Sequence, residues 1–276
     1  MEALVERAQG GDAAALETLL GQLAPAIQRF GMRMCKNPPD ADDVLQDTLL
    51  TIATRLPEFE GRSSLTSWVF TIVRTACVRK RRGLKNQPPV SSEGAAEMAD
   101  PGLSPEAITS DRELSRALTR ALDGLSDEHR EVLLLRDMEG LSAPEAAESL
   151  GISVDALKSR LHRAREALRL ALKPVLEAGA PPPTPQCPDV LHSWSEKLEG
   201  DLRQEDCAAM EKHVASCPSC GAACSALKEA LLMCRRAATD VELDPKVQLR
   251  VKAAVRDWLR TPSGITKRVS PPPRRA

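Results

Sequence analysis

Four residues in the last third of the chain have the types and the spacing of a metal site. His213, Cys217 and Cys220 follow the pattern His-x-x-x-Cys-x-x-Cys, and Cys187 precedes them. Thiolate and imidazole ligands in a tetrahedral set suit zinc, and Cd(II) or copper would also bind such soft ligands. His192 lies close to Cys187 and is the alternative ligand at the distant position. We predict a zinc site formed by Cys187, His213, Cys217 and Cys220.

Other thiols surround this pattern without fitting into it. A structural zinc site needs none of them, so their surplus indicates metal sensing or thiol redox chemistry, unless each is simply a small buried apolar side chain. The three are Cys207, Cys224 and Cys234. Cys35 and Cys77 lie in an apolar part of the N-terminal half and are predicted to be core residues.

A basic segment between residues 141 and 168 has the chemistry of a nucleic-acid contact. Ser142 and Glu145 form a capping box for a short helix, Gly151 ends it, and Ser153 caps a second helix. Apolar residues of the second helix recur at spacings of three and four and predict one buried face: Val154, Leu157, Leu161, Ala164 and Leu168. The polar residues are expected to project from the rest: Lys158, Ser159, Arg160, His162, Arg163 and Arg165.

This short helix, tight turn and basic second helix form a helix-turn-helix, whose second helix enters the DNA major groove. His162 is as well explained by a plain surface position as by a DNA contact. The whole chain has a formal net charge of -1, so any charge that binds DNA must be local.

The elements that position these residues are predicted to be helices. Aromatic residues make up only 2 % of the chain and no convincing alternating strand is present, which favours an all-α fold. In the N-terminal block, Pro38 and Pro39 are expected to stop one helix and Asp40 to cap the next. Ser64 or Thr66 is expected to begin a further helix that runs into basic residues 79–82. The apolar stripe of the middle helix is Leu45, Leu49, Ile52 and Leu56.

The two helical blocks together resemble the extracytoplasmic-function sigma factors of the sigma-70 family. The resemblance rests on residues 40–50 and 56–74 in the first block and on residues 125–133, 140–142 and 151–165 in the second. It implies a factor that directs core RNA polymerase to promoter DNA. The chain is then not an enzyme, and it needs no small-molecule substrate.

The resemblance also implies roles for particular residues. Those expected to contact polymerase are Asp43, Gln46 and Asp47. Those expected at the −10 element are Phe59, Arg62, Ser63, Ser64 and Trp68, with Arg74, Arg79 and Lys80 along the DNA backbone. Those expected at the −35 element are Lys158, Ser159, Arg160 and Arg163. Trp68 has a second interpretation as a core aromatic, and Asp43 as a residue that only favours the start of its helix.

The cysteine-rich part resembles the zinc-binding anti-sigma fold, although that family more often has His at the position of Cys187. Some sigma factors carry such a domain fused at the C-terminus and respond to metals. The resemblance therefore implies that metal binding controls activity. The alternatives are a structural zinc module, a redox switch or, for the whole chain, a plain helix-turn-helix regulator.

The predicted organisation has two small helical sigma domains joined by a flexible linker, followed by a small helical metal-binding domain. No apolar run is long enough to span a bilayer and no secretory signal is present, so we expect a cytoplasmic protein without a membrane partner. The predicted segments are region 2 at 1–83, a linker at 84–110, region 4 at 111–173, a Pro-rich linker at 174–186, the cysteine-rich domain at 187–260 and a disordered tail at 261–276.

Overall fold

The computed structural model describes residues 1–35, 37–84, 105–177 and 179–239, with positions 245, 249 and 253. These residues form helices and the loops between them, and none of them lies in a β-strand, which confirms the all-α prediction. The helices up to residue 84 form one compact unit, and those from 105 to 239 form a second. Residues 85–104 of the predicted linker and the predicted tail lie outside the described residues. Within the described part, no helix has the length and apolar character needed to cross a membrane.

The first unit is a bundle in which three helices pack against one another. Its described elements are α1 (Glu2–Gln9), α2 (Ala13–Cys35), α3 (Pro38–Arg55), a 3₁₀ turn (Leu56–Glu58) and α4 (Leu65–Leu84). The predicted apolar stripe of α3 is buried. Phe30 of α2 meets Phe70 of α4 edge to face, with ring centroids 5.5 Å apart. Cys35 and Cys77 are buried, as predicted, with their sulfur atoms 3.8 Å apart.

The start of α3 differs from the prediction. Asn37, and not Asp40, is the N-cap, because its side chain accepts a hydrogen bond from the backbone N–H of Asp40 at 2.8 Å. α2 ends at Cys35, before the two prolines, and Pro38 and Pro39 are the first residues of α3, since proline loses no hydrogen bond in the first turn of a helix. The prediction for the next helix is confirmed at Ser64, whose hydroxyl accepts from the N–H of Ser67 at 3.1 Å just before α4.

The second unit begins with the predicted helix-turn-helix and the helices that support it. They are α5 (Pro105–Gly124), α6 (Asp127–Leu133), a π-helical turn (Leu134–Met138), α7 (Ala143–Leu150) and α8 (Val154–Leu176). The predicted capping box of α7 is present, Gly151 adopts the left-handed conformation with φ of 67°, and the Ser153 side chain caps α8. Arg130 is fully buried, and its guanidinium donates to the carbonyl oxygens of Leu122, Asp123 and Leu125. These bonds give partners to carbonyl groups at and just after the C-terminal end of α5 that have no partner within the helix.

The cysteine-rich helices complete the second unit. They are α9 (Val190–Glu199), α10 (Gln204–Ser216) and α11 (Pro218–Thr239). Val190, Met210, Cys220 and Cys224 form a small apolar core among them. In addition, α9 packs on α8, and α11 packs along α8, the π-helical turn and α5. We call α9, α10 and α11 with the preceding Cys187 the C-terminal domain; it is part of the same compact unit as the helix-turn-helix.

Candidate metal centre and nucleic-acid interface

The four residues predicted to bind metal come together in space. One ligand atom from each of Cys187, His213, Cys217 and Cys220 lies within 4.8 Å of all the others. Cys187 precedes α9, His213 lies in the last turn of α10, Cys217 follows that helix and Cys220 lies in the first turn of α11. The cluster therefore joins all three helices of the C-terminal domain. Pro218 is the first residue of α11.

The geometry of this cluster fits a tetrahedral zinc ion. Bonds of about 2.3 Å from zinc to sulfur place two thiolates about 3.8 Å apart in a tetrahedron. The sulfur atoms of Cys187 and Cys217 are 3.8 Å apart, and Nε2 of His213 is 3.3 Å from the sulfur of Cys220. His192 is outside the cluster, because its Nε2 faces Glu196 at 3.3 Å. The structure thus brings Cys187, and not His192, to the distant ligand position.

Two of the clustered thiols differ in acidity. The Thr184 hydroxyl, 3.3 Å from the sulfur of Cys187, is the main cause that lowers the pKa of Cys187 to about 6. Burial, followed by the neighbouring thiols, raises the pKa of Cys220 to about 12. A divalent cation would neutralise the repulsion between thiolates that these neighbours impose, and metal binding at such a cluster releases protons.

The surplus cysteines lie outside the cluster. Cys224 and Cys234 are buried, with 5 % and 0 % of their surfaces exposed, and burial raises the pKa of Cys224. Cys207 is half-buried on α10, and its sulfur lies 3.6 Å from a carboxylate oxygen of Glu211. Two of the three therefore occupy positions where a small apolar side chain would also fit.

Two faces of α8 agree with the sequence pattern. The side chains of Leu157, Leu161, Ala164 and Leu168 are completely buried, whereas Val154, which was predicted on the same face, is only half-buried. Ser159 and Arg163 are exposed, and the Arg163 guanidinium donates to the Ser159 hydroxyl at 3.4 Å. Arg160 is half-buried, 3.5 Å from a carboxylate oxygen of Glu128. Part of the predicted DNA-reading set thus remains open to solvent.

A third face of α8 meets the C-terminal domain. The Nζ atom of Lys158 lies 2.7 Å from Asp201, just after α9, and the hydrogen bond between them raises the pKa of that amine. One turn further on, the rings of His162 and His192 meet edge to face with centroids 4.7 Å apart. Neither contact was predicted, since polar residues on a basic helix are ordinarily taken to face solvent or DNA.

The prediction that Arg165 projects outward is wrong. Its side chain is only 2 % exposed, and its guanidinium donates to both carboxylate oxygens of Asp137, to Glu199 at 2.9 Å and to the Ser195 hydroxyl at 2.9 Å. Glu199 also pairs with Arg136. Burial is tolerated because carboxylates from the π-helical turn and from α9 neutralise the charge. One sequence signal for this face is the 4-3-4 spacing of Lys158, His162, Arg165 and Arg169.

The predicted polymerase-contacting residues form an exposed row on α3. Asp43, Gln46 and Asp47 are all exposed and lie three and four residues apart, so they share one face. Lys80 of α4, which was predicted to follow the DNA backbone, donates to Asp43 at 2.6 Å and lies 3.3 Å from Asp40. Its hydrogen bond to Asp43 raises the pKa of Lys80. Arg79 next to it is exposed.

The loop before α4 brings the predicted −10 residues together. The rings of Phe59 and Trp68 pack with centroids 5.1 Å apart, and both residues are half-buried. The side chain of Gln9 in α1 donates to the carbonyl oxygen of Phe59 at 2.7 Å and to that of Leu56 at 3.0 Å, which fixes the start of the loop. Sequence reasoning missed Gln9, and no local signal marks it. Of the other predicted residues, Arg62 is exposed, and Ser63, Ser64 and Arg74 are half-buried.

Comparisons with known proteins match three parts of the chain, which lie in the N-terminal bundle, in the helix-turn-helix with its supporting helices, and in the C-terminal domain. The sequence matches the sigma-70 region 2 family over residues 19–87, the sigma-70 region 4 family over residues 115–168 and a zinc-finger family over residues 187–221. It is 34 % identical over 165 residues to the RNA polymerase sigma factor CarQ of Myxococcus xanthus, covering 60 % of this chain and 93 % of CarQ.

A second relative and a solved structure match similar shares of the chain. The ECF RNA polymerase sigma factor SigL of Mycobacterium tuberculosis is 35 % identical over 178 residues, covering 62 % of this chain and 96 % of SigL. The structure of CnrH in complex with the cytosolic domain of CnrY matches with a TM-score of 0.48 and 26 % identity, over 63 % of this chain and 97 % of the matched one.

Proposed function

The chain belongs to the extracytoplasmic-function sigma factors of the sigma-70 family, and we propose that metal binding to its own C-terminal domain controls its activity. Sigma factors bind core RNA polymerase and promoter DNA and start transcription without being enzymes. The proposal concerns what the additional domain does to that activity, and which residues carry the contacts.

Exposure supports the roles proposed for the sigma residues. The exposed row of Asp43, Gln46 and Asp47 offers polar groups to polymerase. The half-buried Phe59 and Trp68 form an aromatic wall on which an unpaired base of the −10 element can stack. Further residues proposed to hold or flank the −10 DNA are Arg62, Ser63, Ser64, Arg74, Arg79 and Lys80. Those proposed to read the −35 element are Lys158, Ser159, Arg160 and Arg163.

The observation that carries metal control is the docking of the C-terminal domain on α8. A metal ion at the cluster would tie Cys187, which lies just before α9, to α10 and α11. Because α9 supplies Ser195 and Glu199 to the buried side chain of Arg165, fixing the start of α9 also fixes these contacts. The metal would cross-link three helices that have only a small apolar core of their own. Metal occupancy can thus be transmitted to the DNA-reading helix.

The donor set of three thiolates and one imidazole suits Zn(II), and Cd(II) or copper are proposed as metals that could be sensed instead. Metal control requires that the ion bind two states of the chain with different affinity, since equal affinity would shift nothing. The surplus thiols Cys207, Cys224 and Cys234 are proposed as a second input through thiol redox chemistry, which is separate from metal binding at the cluster. Cys207 is the most accessible of the three, because Cys224 and Cys234 are buried.

The test is run-off transcription with core polymerase on DNA from the region upstream of the gene. The zinc-free full-length protein is titrated separately with Zn(II), Cd(II) and copper. The same titrations are repeated with Cys217→Ser, which removes a ligand, and with Cys207→Ser, a matched change at a half-buried thiol outside the cluster. We expect transcripts from all three proteins, a metal response in the wild type and in Cys207→Ser, and none in Cys217→Ser.

Other outcomes would select the alternatives. Equal transcription by all three proteins at every metal concentration would make the zinc site purely structural. A redox switch would be indicated if transcription by the wild type responded to a thiol reductant in the absence of metal and transcription by Cys207→Ser did not. DNA binding without polymerase, together with no transcript, would favour a plain helix-turn-helix regulator.

A further inference from the structure

The face of α8 that meets the C-terminal domain is continuous along the helix. Lys158, His162 and Arg165 are spaced by four and then three residues, so they form one stripe beside the apolar face. Each has a contact with α9 or with the turn that follows it: Asp201, His192 and Glu199 respectively. The C-terminal domain therefore lies along one flank of the helix that carries the exposed Ser159 and Arg163.

Glu199 anchors this flank. Only 3 % of its side chain is exposed, and its two carboxylate oxygens are shared between Arg136 and Arg165. Asp137 supplies the other carboxylate to Arg165. The two guanidinium groups are balanced by two carboxylates only when α9 is in place, and an unbalanced charge at such a buried position is strongly unfavourable.

Asp201 lies at the edge of the anchored contact, where solvent begins. Gly200 ends α9 in the left-handed conformation with φ of 78°, which turns the chain so that Asp201 reaches Lys158. Both carboxylate oxygens of Asp201 lie within 2.8 Å of the Lys158 amine. The side chains remain 40 % and 31 % exposed, so this pair can exchange for another anion without unfolding the domain.

We infer that the acidic end of α9 competes with promoter DNA for α8: Glu199 holds the C-terminal domain on the flank, and Asp201 occupies Lys158 in place of a DNA phosphate. The inference rests on the proposed role of α8 in reading the −35 element, and it does not depend on which metal is sensed. Lys158 is adjacent to the exposed Ser159. A DNA phosphate that approached this part of α8 would need the Lys158 amine as its cation, and it would find that amine already paired with the Asp201 carboxylate.

The experiment compares full-length, zinc-loaded wild-type protein with Asp201→Asn and with Asp206→Asn, each bound to core polymerase. Asp206 is a suitable control because it is a half-buried acid of the same domain whose ion pair is with Arg203. Equilibrium binding of a labelled duplex that carries the −35 element is measured by fluorescence anisotropy over a range of salt concentrations. Labelling of Lys158 by an amine-reactive acylating reagent, without DNA, is followed by mass spectrometry.

We expect Asp201→Asn to tighten DNA binding by about threefold and to steepen the slope of log K against log salt by about 0.9, since one more phosphate is neutralised. Lys158 should be acylated faster in Asp201→Asn, and Asp206→Asn should match the wild type in all three measurements. If Asp201→Asn matches the wild type in affinity, slope and labelling, the competition does not occur while the proposed DNA-reading role stands. If the wild-type complex with polymerase fails to bind any promoter duplex, the inference and its premise fall together.

Discussion

Two lysines that were predicted to contact DNA are held by carboxylates in different ways. Lys80 in the first unit pairs with Asp43 and Asp40 of α3, a neighbouring helix of the same small bundle. Lys158 in the second unit pairs with Asp201, which belongs to the C-terminal domain. The first pair belongs to the region 2 fold itself, whereas the second exists only while another domain is docked. A contact of the second kind can be regulated, because its partner can leave without dismantling the helix that carries the lysine.

The largest effect is expected from the anchor of the docked domain. Glu199→Ala leaves Arg136 and Arg165 with one carboxylate instead of two, and breaking a buried ion pair in this way costs about 3–5 kcal/mol. Hydrogen exchange followed by mass spectrometry should show lost protection in peptides from α8 and α9. Glu205→Ala, at an exposed pair with Arg203, is the matched control. Unchanged protection in Glu199→Ala would show that α9 is held on α8 by something other than this charge cluster.

The next effect is expected at the metal cluster. Loss of groups that only orient metal ligands costs about 10–100-fold in affinity, so Cys217→Ser, which removes a ligand, should weaken zinc binding by at least about 100-fold. Competition with a chelating dye measures this directly, with Cys207→Ser as the control. In the comparison of the two lysines, Cys217→Ser should increase acylation of Lys158 and leave that of Lys80 unchanged. Equal changes at both lysines would contradict the distinction between them.

A smaller effect is expected at Lys80. Lys80→Gln removes a partly exposed pair between α3 and α4, and such pairs are worth about 0.2–1 kcal/mol. Because its pKa is raised in the folded protein, the stabilisation by Lys80 is fully present below the ordinary value of 10.5 and is lost as the pH rises through the higher folded value. Hydrogen exchange of α4 peptides at neutral pH, with and without a zinc chelator, measures the effect. If the protection of the α4 peptides changed with the chelator, the Lys80 pair would depend on metal, as the Lys158 pair is expected to do.

The smallest effect on stability is expected at Asp201. The Asp201–Lys158 pair is partly exposed on both sides, and solvent screens such pairs, so Asp201→Asn should leave the midpoint of urea unfolding close to that of the wild type. The unfolding midpoints in urea of the full-length wild type, Asp201→Asn and Glu199→Ala are compared. A loss as large as that of Glu199→Ala would mean that Asp201 holds the domain in place and is not an exchangeable partner of Lys158.

Local sequence was sufficient for features that depend on neighbours within a turn or two of helix. The capping box at Ser142 and Glu145, the left-handed Gly151 and the buried leucines of α8 follow from spacing and from the conformational preferences of single residues. The spacing of His213, Cys217 and Cys220 likewise places three ligands together, because a helix end and a tight connection fix their separation. The same local rules gave a wrong cap for α3, where Asn37 and Asp40 are both good capping residues and only the backbone decides between them.

Only the tertiary structure decided which polar residues are partners over long distances along the chain. The burial of Arg165 against Glu199, the capture of Lys158 by Asp201 and the meeting of Cys187 with the other three ligands all join segments separated by loops and whole helices. A basic stripe on a helix has the same spacing whether it faces solvent, DNA or a docked domain. The sequence by itself determined that α8 has such a stripe; the packing of α9 and α11 on region 4 determined what the stripe contacts, because burial depends on the surfaces brought together and not on the periodicity of one helix.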